Sequence, residues 1–166
     1  MELRKLQNGS IARPKGYIDI ARVSTLALRA YLDLKITSLD ISGARRVTDD
    51  GVAVFFAETG HRLRSLSLSG CVAITDIPPT PMPFLTNLNL ANCKKITDAT
   101  LGKTAELCPV LERIELSFCA NVTETGFMVF AEKTKTTLRF VDLEFCLKVS
   151  DAVVGLCPWL VVKGKG

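Results

Sequence analysis

No stretch of this 166-residue chain approaches the roughly 18 uninterrupted apolar residues that a membrane-crossing helix requires. The first eight residues, Met1 to Asn8, contain no apolar signal-peptide core. These absences predict an intracellular, cytoplasmic setting that keeps thiols reduced, so the 6 cysteines are expected to be free. Histidine occurs once, as His61, within Thr59-Gly60-His61-Arg62. There is no glycine-rich phosphate loop and no metalloprotease helix motif. Charge of one sign is not in large excess: the net charge of +4 aids solubility and does not by itself call for nucleic acid. The remaining composition, 48% hydrophobic and 23% charged, is that of one globular domain.

What the sequence does have is a repeat. Leu63-Arg64-Ser65-Leu66-Ser67-Leu68-Ser69-Gly70-Cys71 returns as Leu85 to Cys93, as Leu111 to Cys119 and as Leu138 to Cys146. An earlier copy, Ile36 to Ala44, carries alanine in place of the cysteine. That position steps by 27, 22, 26 and 27 residues from unit to unit. The apolar–polar alternation, as in Leu66-Ser67-Leu68-Ser69, predicts a short strand with one buried face. Thr48-Asp49, Thr97-Asp98, Thr123-Glu124 and Ser150-Asp151 then predict helix starts, the hydroxyl accepting from a free backbone N–H and the acid sitting at the positive helix end. Val52, Phe55 and Phe56 are expected to face inward, as are Leu101, Ala105 and Leu107, and Phe127, Val129 and Phe130. Cys108-Pro109 and Cys157-Pro158 are expected to end helices, because proline disfavours helical backbone in the residue before it. One strand–helix unit cannot bury its own apolar face, so the units must stack into a shared core.

The pattern Leu-x-x-Leu-x-Leu-x-x-Cys-x-x-Ile-Thr-Asp, with Leu107-Cys108-Pro109-Val110-Leu111 closing a unit, resembles the cysteine-containing leucine-rich repeats of F-box/leucine-rich-repeat proteins. It covers residues 36–160. The resemblance implies an α/β leucine-rich-repeat solenoid (a horseshoe), with parallel strands on the concave face and helices on the convex face. Residues 1–22 are expected to form an N-terminal tail or degenerate cap, and 23–166 the repeat domain. That domain is expected to hold five clear repeats, or six if residues 15–35 form a degenerate one, where Val23-Ser24 echoes Val47-Thr48 and a helix is expected from about Leu26 to Leu32. The implied function is a non-catalytic protein–protein interaction scaffold, like the substrate-recognition part of SCF-type ubiquitin ligases. The alternative is a structural subunit of a large assembly, such as the nexin–dynein regulatory complex of the ciliary axoneme. The roughly 20 poorly patterned residues before the repeats are expected not to hold a helical F-box. Val161 to Gly166 reads as the start of a strand without a capping repeat, the mark of a fragment or of an end covered by a partner.

Cys71, Cys93, Cys119 and Cys146 should form a ladder at the strand-to-loop turn, with rungs about 5 Å apart. A linear ladder does not converge on a metal as four zinc ligands must, so the cysteines read as small buried turn-fillers. No catalytic residue, cofactor, metal, small-molecule substrate or membrane insertion is expected, and nucleic acid is not an expected partner. Arg45-Arg46, Lys94-Lys95 and Lys148 fall at equivalent loop positions, but Val72-Ala73 and Ala120-Asn121 interrupt the row, so they read as ordinary variable loop residues. Asp76-Ile77-Pro78-Pro79-Thr80-Pro81-Met82-Pro83 cannot continue a helix. An extended segment is expected there, either a shortened repeat or a docking notch. On the outward strand positions the early units are small and polar, while the last two carry charge and aromatics. Partner binding is therefore expected at Arg113, Glu115, Phe118, Phe140, Asp142, Glu144 and Phe145. Phe118 and Phe145, just before their cysteines, read equally well as exposed anchors or as a hydrophobic spine stacked on itself.

Overall fold

A computed structural model describes Ile36 to Lys165. The expected degenerate repeat over 15–35 and the boundary between 22 and 23 lie outside the described residues. Six three-residue strands form one parallel sheet in chain order: β1 (Ser38–Asp40), β2 (Ser65–Ser67), β3 (Asn87–Asn89), β4 (Arg113–Glu115), β5 (Phe140–Asp142) and β6 (Val161–Lys163). The central residues Leu39, Leu66, Leu88, Ile114, Val141 and Val162 stand opposite one another in register. This is the expected α/β leucine-rich-repeat solenoid. The helices α1 (Asp49–Thr59), α2 (Asp98–Leu107), α3 (Glu124–Lys133) and α4 (Ala152–Leu156) supply the second layer.

The core lies between these layers. Leu66, Leu68, Leu88, Leu90, Ile114, Leu116, Val141 and Leu143 fill it from the sheet, and Val52, Phe55, Phe56, Leu101, Phe127 and Phe130 from the helices. Ala105 and Leu107 pack against it while partly exposed. Val129 departs from the expectation: it is 53% exposed, because the inward stripe of α3 runs through Phe127, Phe130 and Ala131, and Val129 falls beside it. Thr59, Thr104 and Thr134 are buried and donate their hydroxyls to the carbonyls four residues back, at 2.8, 2.8 and 2.9 Å.

The Thr-acid pairs work differently from the expected local caps. Thr48 and Thr97 make no capping bond, whereas Thr123 accepts from the Gly126 N–H at 3.2 Å and Ser150 from the Ala152 N–H at 3.3 Å. The acids instead bind the next repeat. Asp98 accepts from the Thr123 N–H at 2.8 Å and from its hydroxyl at 2.7 Å. Asp49 accepts from the N–H and hydroxyl of Thr75, and Glu124 from the Ser150 N–H at 2.9 Å. A side chain at the exposed end of one helix thus ties down the matching segment of the next unit, which starts a helix after Thr123 and Ser150 but not after Thr75.

One step of the stack lacks this tie. The proline segment carries no helix between β2 and β3. Ile77 and Met82 plug the core from it, and the Met82 N–H donates to the Leu107 carbonyl at 2.8 Å. Asp76 is occupied by the Ile77 N–H and by Lys103.

Candidate functional site

Every strand leads into the same turn. The residue three after the cysteine position donates its N–H back to it: Val47 to Ala44, Ile74 to Cys71, Ile96 to Cys93, Val122 to Cys119 and Val149 to Cys146, at 3.0–3.3 Å. The four turn cysteines are completely buried, and each thiol donates to a carbonyl of the preceding unit. Cys71 reaches Ile41 at 3.3 Å, Cys93 reaches Leu68 at 3.1 Å, Cys119 reaches Leu90 at 3.2 Å and Cys146 reaches Leu116 at 3.0 Å. Burial pushes their thiols up, to about 11 for Cys71 and about 12 for Cys93 and Cys119. Groups so held stay protonated and are poor nucleophiles and poor metal ligands. Among the described residues no cluster of three or more His, Cys, Asp or Glu could hold a metal, and no helix is long and apolar enough to cross a membrane. His61 is exposed, in a single 3-10 turn after α1.

The residue before each cysteine position has left-handed backbone. Gly43, Gly70 and Asn92 hold it at φ of 79°, 69° and 58°, but Phe118 and Phe145 hold it too, at 61° and 58°. Such a backbone costs an ordinary side chain roughly 1–2 kcal/mol. Glycine escapes that cost, and asparagine is better suited to it than phenylalanine. The two rings stack on each other at 4.4 Å between centroids, 18° from parallel, and remain 48% and 53% exposed. The pair is therefore a spine and a surface at once. Each ring covers one face of the other, and neither is sealed in the core.

A second group forms at the opposite end of the strands. The Arg113 guanidinium lies 3.6 Å from the centroid of the partly buried Phe140 ring and pairs with Glu115 at 3.1 Å, while the Asn89 amide donates to the other Glu115 oxygen at 2.5 Å. The structure thus brings Arg113, Glu115 and Phe140 together on one strip of the open sheet face. Asp142 departs from the expectation. Its alternating position predicts solvent exposure, yet it is only 6% exposed. Lys163, directly opposite on β6, covers it and donates to it at 2.8 Å, and the Glu144 N–H donates to its other oxygen at 2.9 Å. Lys163 also pairs with the half-buried Glu144 at 3.1 Å, and these two acids hold the Lys163 ammonium's pKa above its usual value. Asp142 is an anchor for the last strand, so it is not free for a partner.

A leucine-rich-repeat family model matches residues 33–56. Among curated proteins, mouse lysine-specific demethylase 2B is 28% identical over 125 residues, covering 70% of this chain and 9% of that protein. Bovine F-box/LRR-repeat protein 4 is 35% identical over 71 residues, covering 39% of this chain and 11% of that protein. The chain therefore spans about a tenth of the length of these relatives. Among solved structures, a chain in the crystal structure of the yeast Rad7–Elc1 complex aligns with a TM-score of 0.67 at 22% identity, over 80% of this chain and 33% of that one. That likeness is one of fold.

Proposed function

We propose that this leucine-rich-repeat solenoid is a non-catalytic protein-recognition scaffold that docks partners on the C-terminal half of its open sheet face and the turn edge that adjoins it. The observation that carries the reading is the Phe118–Phe145 pair: two bulky residues in a backbone conformation better suited to glycine, with half of each ring left in water. Strain and exposed apolar area are both unfavourable to the isolated chain. Strained backbone of this kind clusters at functional sites, and exposed aromatics are typical anchors of interfaces. Arg113, Glu115 and Phe140 lie on adjacent strands, Glu144 in the turn after the second of them, and together they add charge of both signs for orientation. A finer version of the reading likens the chain to the substrate-recognition part of SCF-type ubiquitin ligases, supported by its similarity to an F-box/LRR-repeat protein.

The test is to replace both rings with glycine, which suits the turn backbone. Phe118→Gly/Phe145→Gly should keep its melting temperature within a few degrees, because about 1–2 kcal/mol of relieved strain per residue offsets the lost stacking. Partner proteins captured by the wild-type chain should then be lost or bind at least about tenfold more weakly (about 1.4 kcal/mol). Unchanged binding by the folded double variant would refute this docking surface. A cullin-ligase subunit among the ring-dependent partners is the outcome that the finer version requires.

A further inference from the structure

Among the described basic residues two groups stand apart from Arg64, which lies over the Phe84 ring, and from Arg139 and Lys165, which donate to backbone carbonyls. Lys103, Arg113, Lys133, Lys135 and Lys163 each sit within ion-pair distance of an acid. Arg45, Arg46, Lys94, Lys95 and Lys148 are exposed and have no ion-pair partner among the described residues. All five occupy one place in the fold, the two residues that follow the cysteine position in the turn. Because the five turns share one hydrogen-bonding pattern, these residues line one edge of the stack. Direct contacts confirm the alignment: the Asn121 amide donates to the Lys94 carbonyl at 2.8 Å, and Lys148 reaches the Asn121 side chain at 3.5 Å. The other residues of that row are Val72, Ala73, Ala120, Asn121 and Leu147, so no acid stands in it. The left-handed positions beside the row, Gly43, Gly70, Asn92, Phe118 and Phe145, hold no acid either. Leu147, 86% exposed, adjoins the stacked rings through Cys146.

We propose that this edge receives an acidic polypeptide segment carrying an aromatic or aliphatic anchor, with the anchor on Phe118, Phe145 and Leu147 and its carboxylates on Lys148, Lys94, Lys95 and the Arg45–Arg46 pair. This deepens the scaffold reading above and rests on it for the role of the rings. The spacing favours a peptide over a nucleic acid. Basic groups occur at the first, third and fifth turns, so they recur about every 10 Å, two strand spacings. A peptide in the extended polyproline II form advances about 3.1 Å per residue with three residues per turn, so a carboxylate at every third position returns to one face about every 9 Å and matches them. Duplex DNA presents a charge about every 1.7 Å, far denser than this row can neutralise. The two rings also occupy each other's inner faces at 4.4 Å, which leaves no slot between them for a base.

The probe is a displayed library of random 16-residue peptides selected on the whole chain, with a single-stranded oligothymidylate of similar length as a second ligand. Selected peptides should carry net negative charge and at least one aromatic or leucine residue. Their affinity should fall as salt shortens the range of the attraction. Lys94→Glu/Lys95→Glu, in a fully exposed loop, should retain the wild-type melting temperature and weaken the selected peptides by about tenfold. Selection of neutral or basic peptides, no selection at all, or tighter binding of the oligothymidylate overturns the proposal. If Phe118→Gly/Phe145→Gly abolishes binding while the charge reversal does nothing, the scaffold reading stands and the acidic partner falls. The reverse pattern removes the rings from the interface and with them the reading on which this proposal rests.

Discussion

At the scale of single residues the sheet separates two kinds of position one residue apart. Leu90 is completely buried, whereas Asn89 stands on the open face with its side chain shared between the Glu115 carboxylate and the Ala91 N–H. Leu90→Ala should cost about 2–5 kcal/mol through the cavity it leaves. Asn89→Ala removes hydrogen bonds whose partners regain water, and should cost about 1 kcal/mol or less. Urea melts of the two variants check this, and equal losses would mean that the strand faces are assigned wrongly. The turn cysteines invite a second measurement. Their thiols are buried, donate to carbonyls and, for Cys93 and Cys119, are pushed up to about 12 by burial. At mildly alkaline pH a thiol reagent should therefore label them only as fast as the fold opens, and all at once in denaturant. Rapid labelling of the native protein would contradict the buried ladder.

At the scale of elements the links between repeats dominate. Gly126 sits in the first turn of α3 where a Cβ would run into the Asp98 side chain. Alanine is favoured over glycine in a helix by about 1 kcal/mol, yet Gly126→Ala should destabilise by about 1–3 kcal/mol, because it overpacks the Asp98–Thr123 tie. Gly102, in α2, has open space at the same point. Gly102→Ala should stabilise by about 0.5–1 kcal/mol. Thermal melts showing the same sign for both would remove the tie as an element of stability. Such ties also mark where the sequence is hard to read. Strand alternation is local, so Leu66 and Ser67 reveal their faces from neighbours two residues away. The partner of Asp98 lies 25 residues on, so its pairing looks like a local cap until the repeats are stacked. Asp142 is legible as an outward position, but its burial depends on Lys163 in a strand 21 residues later. The left-handed turn could have been found: Gly43, Gly70 and Asn92 share one position with Phe118 and Phe145, and the first three residue types are the ones that conformation favours.

At the scale of the whole molecule each unit is held by its two neighbours, and the stack opens first where a neighbour contact is weakest. That place is expected to be the step from the second unit to the third. The second unit has no helix, and instead of holding Thr97 Asp76 bonds the Ile77 N–H and forms, across the step, a partly exposed ion pair with Lys103 of α2 that contributes at most about 1 kcal/mol. Hydrogen exchange followed by mass spectrometry should show β1 and α1 opening at a lower free energy than β4 and α3. Uniform protection from β1 to β5 would count against a weak step. The recurring turn has a wider consequence for how such a molecule can change. From the first residue of each strand to the cysteine position is six residues in all five units, and three more reach the next buried aliphatic residue. The unequal repeat lengths are accommodated after that point, in the helix or in the proline segment that replaces it. The backbone is thus re-indexed once per repeat, like a thread cut to a constant pitch. Residues gained or lost on the helix side do not propagate to the opposite face, so the outer layer can drift in length over evolutionary time while the strands stay in line.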